Sequence, residues 1–321
     1  MHSYYFSHGR TALLNGIKLY KFSKKDTVLI PDYLCEIVEL TLKSLNLNII
    51  KYKINDNFST NIKSLKSKLK FKNIKAIIVV NYFGFPQEID LIKKLCKKSQ
   101  IKIIEDNSHG HGGSINNKLL GTRGDFGFSS PRKVLRVLSG GTLYLKKKKD
   151  FKIANYKHNI KSILVALINK NFLLKIFIKK NLILKKDYSN PYMKSDNKIY
   201  NMSIDSFSLS KINKLNIKNE KSRRFTNYMI WKKFLKKNNI KPIFKKVDKN
   251  LMIWCLPFYV KSSSEAKKWF LWGNKNGITI FSWPDLSIDN IKKNTICFRR
   301  WKKLVCLPLD VPNNFLKKVC N

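Results

Sequence analysis

The sequence predicts an α/β protein: a mostly parallel sheet flanked by helices, followed by a smaller C-terminal α+β domain. Three observations carry this expectation. Short runs rich in β-branched residues alternate with apolar stretches of helical spacing over the first hundred residues, which is the pattern of repeated β–α units. After residue 150 the texture changes, and lysines interrupt a long apolar stretch. At 321 residues and 43% hydrophobic content the chain can bury a large and a small core and does not read as disordered. The expected division is 1–186, including a basic apolar helical segment at 150–186, and 187–321.

Taken in order, Ser7-His8-Gly9-Arg10-Thr11 leads into a helix running to about Tyr20. Gly9 in that turn, with Arg10 and Thr11 behind it, would aim free N–H groups and a hydroxyl at an anion. Ser or Gly ahead of a helix is also ordinary capping. Residues 27–31 form a buried strand ended by Pro31, 37–47 a helix, 48–52 a strand, 62–69 a short helix and 76–81 a buried strand. A turn at 82–86, a helix at 89–98 and a strand at 101–104 follow. Chemistry in such sheets collects at the carboxyl ends of strands, where Asn81 and Asp106 fall. Lys133 then lies in a tight loop ahead of Gly140-Gly141 and another apolar strand.

Residues 163–184 are too interrupted by lysine for a membrane span, which needs about 20 mainly apolar residues. Their apolar positions fall all round a helical wheel, so covered helices are expected, with a peripheral membrane contact as the other reading. Residues 187–191 read as a linker. Helices at 204–215 and 221–236, a strand at 253–260 carrying Pro257, a helix through Trp272 with Ser262 and Glu265 as its capping box, and a strand at 278–283 complete the smaller domain.

Lys+Arg total 65 against 20 Asp+Glu, a formal net charge of +45. Such an excess suits a polyanion or an anionic membrane. Here it is mostly lysine spread along the whole length, and no nucleic-acid motif accompanies it, so a compositional origin is expected instead. The six cysteines form no CxxC pair or metal spacing and read as reduced, buried thiols of a cytosolic protein. The first residues lack a charged segment followed by an apolar core, so no signal peptide is expected.

Asp106 ends an apolar strand, and a carboxylate buried there costs several kcal/mol unless partnered. A protonated ring nitrogen, an arginine or a cluster of backbone N–H groups would each serve. Lys133 is one lysine among many, but a lysine in a desolvated or electropositive setting becomes a nucleophile able to form a Schiff base. His109 and His111 flank Gly110, yet without further ligands nearby no metal is expected. Asp125-Phe126-Gly127 matches the kinase tripeptide by chance, since no kinase loops accompany it.

The order and spacing of several motifs together resemble the DegT/DnrJ/StrS family of sugar aminotransferases, pyridoxal-phosphate enzymes of fold type I. They are Ser7 to Leu13, Pro31-Asp32-Tyr33-Leu34-Cys35, Asn81 to Pro86, Ile104-Glu105-Asp106 to Gly112, and Gly124-Asp125 to Lys133 with Gly140-Gly141. Arg223-Arg224-Phe225-Thr226-Asn227-Tyr228 and Leu304 to Leu309 extend the similarity toward the end of the chain. The resemblance implies that Lys133 holds pyridoxal 5'-phosphate covalently and shuttles the proton, and that Asp106 keeps the pyridine nitrogen protonated, the ring being an electron sink. It places His109 beside the cofactor ring. Gly9, Arg10 and Thr11, with Ser129 or Ser130, would take the phosphate. Tyr33 would stack on the ring, with Cys35 competing for that position.

Two departures stand out. Only six residues precede Ser7, where family members carry a longer segment, and the interval from Asp125 to Lys133 is shorter than the commoner pattern. Some relatives carry His in place of the lysine and act as sugar dehydratases, an outcome Lys133 argues against. The resemblance therefore implies transfer of an amino group from an amino acid such as glutamate to a nucleotide-linked keto sugar, in surface-polysaccharide or related glycan synthesis, by a cytoplasmic homodimer. A non-catalytic protein that retains the fold and the cofactor, and a basic protein that contacts anionic membrane or nucleic acid, are the other readings.

Overall fold

The computed structural model describes residues 1–97, 99–135, 137–156, 199, 201–283 and 285–321. The expected helical segment beyond 156 and the linker at 187–191 lie outside the described residues. So does the boundary between 186 and 187.

The first half alternates as its sequence patterning requires: β1 (His2–Phe6), α1 (Gly9–Lys18), β2 (Thr27–Pro31), α2 (Glu36–Lys43), β3 (Asn48–Tyr52), α3 (Ile62–Lys68), β4 (Ile74–Val80), α4 (Ile89–Cys96) and β5 (Lys102–Asn107). A small hairpin of β6 (Ser114–Ile115) and β7 (Lys118–Leu119) precedes β8 (Phe126–Ser129), α5 (Pro131–Val134) and β9 (Gly141–Leu145). Seven strands form one sheet in the order β1-β9-β8-β5-β4-β2-β3. The pairs joining β3, β2, β4, β5 and β8 are parallel, and β9 runs antiparallel to both β8 and β1. This is the mostly parallel α/β architecture expected from the sequence.

Burial explains the placement. Every residue of β2 is buried, as a central parallel strand covered on both faces requires. Helix α4 buries Ile89, Ile92 and Cys96, one stripe at helical spacing. Glycine is demanded where the chain end meets the sheet. A Cβ on Gly141 would stand 2.0 Å from the His8 carbonyl oxygen, so no side chain fits there. Gly140 N donates to Ser7 O at 2.7 Å, fixing α1 against β9.

The second half supplies α6 (Ser206–Asn213), α7 (Ile217–Lys237), β10 (Cys255–Tyr259), α8 (Ser263–Lys275), α9 (Ile288–Lys292), α10 (Ile296–Lys303), β11 (Leu304–Pro308) and α11 (Asn313–Cys320). Strands β10 and β11 pair antiparallel, and Pro257 is tolerated because this sheet has only two strands. The Ser262 cap of α8 forms, with Glu265 N donating to Ser262 Oγ at 3.2 Å, while the Glu265 carboxylate accepts from Lys261 N, one residue before the cap, at 2.9 Å. One contiguous apolar core joins the seven-stranded sheet to Trp231, Leu256, Trp301 and Leu316 of this half.

Three expectations need correction. Residues 278–283 are not a strand: their pairing is a single bridge between Phe281 and Cys306, on the edge of β11 opposite β10. Lys133 lies on the short helix α5, begun by Pro131 at its first position, rather than in a tight loop. The strand β1, whose mixed polar and aromatic residues give no clear period, was not expected at all. All six cysteines are buried and none is in a disulfide. Among the described residues no helix is long and apolar enough to cross a membrane.

Candidate active site

Two acids end β5 and face opposite ways, as alternation along a strand dictates. Glu105 is fully buried and saturated. It accepts from Arg123 Nε at 2.9 Å, Arg123 Nη2 at 2.7 Å, Arg123 N at 2.7 Å and Asn81 Nδ2 at 2.8 Å. Asn81 therefore serves this buried ion pair. Asp106 is buried as well, but among the described residues no guanidinium pairs with it, that of Arg123 being held by Glu105. Ser108 N donates to Asp106 Oδ1 at 2.8 Å. Burial pushes the Asp106 carboxyl above the usual range, opposed by Ser108 and by the nearby Lys133. An acid so placed has room in its chemistry for a cationic N–H partner.

Lys133 Nζ lies 3.0 Å from His109 Nε2 and 5.5 Å from the centroid of the Trp254 ring. The other imidazole nitrogen is occupied: Phe83 N donates to His109 Nδ1 at 3.1 Å. A neutral imidazole accepting at Nδ1 carries its proton on Nε2. Burial holds His109 well below its ordinary pKa, and the charge of Lys133 adds to that, so the neutral form is the stable one. His109 also stacks on Trp254 at 4.5 Å and meets the edge of Trp283 at 4.8 Å.

A small polar cradle opens at the start of α1. A Cβ built on Gly9 would stand 3.5 Å from Ser130 Cβ, 3.6 Å from Ser108 Oγ and 3.8 Å from Ser129 O. A helix N-terminus flanked by two serines suits an anion such as phosphate. Asp106, Lys133 and His109 thus share one neighbourhood with this cradle, at the carboxyl end of β5 and just beyond β8.

Residues 1–160 match the DegT/DnrJ/EryC1/StrS aminotransferase family. The chain belongs to that family. A curated relative, dTDP-3-amino-3,6-dideoxy-alpha-D-galactopyranose transaminase of Aneurinibacillus thermoaerophilus, is 32% identical over 127 residues, 38% of this chain and 34% of the relative. GDP-4-keto-6-deoxy-D-mannose 3-dehydratase of Yersinia pseudotuberculosis is 34% identical over 112 residues, 34% of this chain and 28% of the relative. The matched stretch therefore spans about a third of the length of these curated relatives. In fold the likeness is nearly complete. A DegT DnrJ EryC1 StrS aminotransferase from Brucella abortus superposes at a TM-score of 0.70, 15% identity, over 100% of this chain and 84% of its own. Helicobacter pylori PseC, an aminotransferase involved in the biosynthesis of pseudoaminic acid, gives 0.70 at 17% identity over 100% and 85%.

Within this DegT-family chain the expected residues divide into those that gather and those that do not. Asp106, His109, Lys133, Gly9 and Ser130 converge. Arg10 is half-buried on the first turn of α1. Thr11 is fully buried with its hydroxyl 3.3 Å from Ser7 Oγ. Ser129 points away from the cradle: its Oγ is 2.8 Å from His111 Nδ1 and 2.9 Å from Tyr144 Oη, in a buried triad. Of the two serines, Ser130 is the one beside Gly9. Tyr33 is fully buried and separated from His109 by Trp283, which it meets edge-on at 5.3 Å. The rings against His109 are Trp254, Trp283 and Phe83.

Four residues escaped sequence reasoning. Ser108, Trp254 and Trp283 are described above. The fourth is Asp285, whose half-buried carboxyl is raised by burial and lowered by a hydrogen bond with Cys35 and by Lys133. Burial, with Asp285 second, pushes the Cys35 thiol well up, keeping it protonated. Asp285 follows the apolar run 278–283 as Asp106 follows 101–104, which is the signal that could have found it.

Proposed function

We propose that this chain is a pyridoxal-phosphate-dependent aminotransferase that moves an amino group from an amino acid, with glutamate the first donor to test, to a nucleotide-linked keto sugar. One observation carries the reading: a buried carboxylate, Asp106, that pairs with no guanidinium among the described residues shares a site with the Lys133 amine, which lies 3.0 Å from a histidine kept neutral by burial. The bound cofactor would supply the electron sink that lets the amino carbon lose its proton. Asp106 would hold a ring N–H, and Gly9, Ser108 and Ser130 would bind the phosphate. Lys133 would carry the cofactor and pass a proton between carbons. His109 would donate from Nε2 to a polar atom on the ring edge, its tautomer set by Phe83 N.

The names of the curated relatives, a transaminase and a dehydratase of nucleotide-linked sugars, support the substrate class. Lysine rather than histidine at position 133 favours amine transfer over dehydration. A cytoplasmic homodimer working in surface-polysaccharide or related glycan synthesis fits this chemistry, and the basic surface would draw in anionic sugar nucleotides. The test is spectroscopic. Purified protein given pyridoxal phosphate gains the visible band of a lysine-bound cofactor, Lys133→Ala does not, and glutamate with a panel of keto-sugar nucleotides identifies the acceptor. Identical spectra for wild type and Lys133→Ala would refute the proposal.

A further inference from the structure

Arg224, on α7, is far from Asp106 in sequence and 1% exposed, one of the most deeply buried charges in the molecule. Such burial is costly unless every N–H is used. Its Nε donates to Glu220 Oε1 at 2.7 Å, which aims the guanidinium. Its Nη1 donates to the carbonyls of Ile253 at 2.9 Å and Trp254 at 3.2 Å, and its Nη2 to the carbonyl of Val134 at 2.6 Å. Val134 is the residue after Lys133, and Trp254 is the ring over which the Lys133 amine lies.

The contacts close a circuit. Trp254 N donates to Phe83 O at 2.9 Å. Phe83 N donates to His109 Nδ1, His109 Nε2 meets Lys133 Nζ, and Val134 returns the path to Arg224. Each group that sets the height and direction of the lysine amine is thus tied to one planar fork. A point charge such as lysine cannot reproduce that fork, because it lacks fixed bidentate geometry. The loop has no slack on its C-terminal side. A Cβ on Gly84, at φ +91°, would strike Met252 O at 2.3 Å, so residues 252–254 already cross the turn at closest approach.

We propose that Arg224 is a positioning residue: by clamping the Val134 and Trp254 carbonyls it holds the Lys133 amine in line for covalent capture of the cofactor. This rests on the pyridoxal-phosphate reading above. In the step concerned, the Lys133 amine would add to the aldehyde carbon and form a carbon–nitrogen double bond, its two N–H hydrogens leaving with the aldehyde oxygen as water. Arg224 touches none of the reacting atoms. Its removal affects the alignment of the amine, and a displacement of about 1 Å costs on the order of a hundredfold in rate.

The experiment compares two forms of the cofactor. Pyridoxal phosphate requires Lys133 for its covalent bond, whereas pyridoxamine phosphate binds the same cradle without one. In Arg224→Lys, the visible band should form roughly ten- to a hundredfold more slowly, while pyridoxamine phosphate affinity, read by tryptophan fluorescence, stays within about twofold of wild type. If Arg224→Lys does not fold, Glu220→Gln, which only loosens the aim of Arg224, is measured against the same criteria and should show a smaller slowing of the same kind. Unchanged capture, or parallel loss of both ligands, overturns the positioning role and leaves a structural one. Wild-type protein that takes up neither compound refutes the cofactor reading, and this inference with it.

Discussion

Replacing Arg123 with methionine should cost the fold about 3–5 kcal/mol, the range for breaking a buried ion pair from one side. The magnitude follows from the contacts. Glu105 is fully buried and accepts four hydrogen bonds, two of them from the Arg123 side chain at 2.9 and 2.7 Å. The main-chain N of residue 123 and Asn81 would remain. Two hydrogen bonds to a charged group, at roughly 1.5–3 kcal/mol each, sum to roughly the same range. What remains is a carboxylate in the core with half its donors. Urea titration of Arg123→Met followed by tryptophan fluorescence should show a lower midpoint at unchanged slope. The double variant Glu105→Gln/Arg123→Met removes the orphaned charge and should recover at least about 1 kcal/mol relative to the sum of the single changes. An Arg123→Met protein within about 1 kcal/mol of wild type, or strict additivity, would show that the pair is solvated and the argument wrong.

Other predictions follow from single contacts. His111 is held neutral by burial, its pKa lowered to about 4. A histidine depressed below its unfolded value stabilises fully above about pH 6.5 and loses that contribution as pH falls toward 4, worth about 2 kcal/mol between pH 7 and 4.5. In His111→Gln the stability loss over that interval should shrink by about this amount, and an unchanged loss would place the titration elsewhere. Gly141→Ala drives a methyl into the His8 carbonyl and should reduce soluble yield or shift α1 enough to weaken phosphate-dependent cofactor binding; a normal melting curve with normal cofactor uptake would contradict the close packing. Ser262→Ala removes the capping oxygen of α8 and should cost about 1 kcal/mol by urea midpoint, with cofactor uptake unaffected. A loss below a few tenths of a kcal/mol would mean that the helix end is already satisfied by water.

The parallel sheet was legible because its central strands, such as β2 and β4, are short apolar runs with nothing else to be. The edge strand β1 was not, since its burial grades from exposed at His2 to buried at Phe6 without alternation and its register is set by β9, more than a hundred residues away. Asp106 and Lys133 could be found because their local setting is unusual: an acid on an apolar strand, and a lysine ahead of paired glycines. Which serine faces Gly9 could not, because Ser129 and Ser130 are adjacent and a strand end turns neighbours to opposite sides. Trp254 and Asp285 reach the site from the far half of the chain, and no short-range pattern encodes that meeting. The run 278–283 has the composition of a strand, but it meets β11 at the single bridge of Phe281 with Cys306, so composition alone misassigned it.

The pairing of β1 with β9 also sets an order of events during synthesis. Phe6 lies opposite Gly141 and His2 opposite Leu145, so roughly 140 residues must be translated before the first strand finds its partner. At about 5–20 residues per second, the first strand waits on the order of ten seconds or more beside a growing chain. Gly9, Ser130 and Gly141 come together only when that strand docks. A phosphate-bearing molecule therefore cannot seed the early stages of folding here. Its capture would instead mark the moment when an early and a much later stretch of the nascent chain lie side by side.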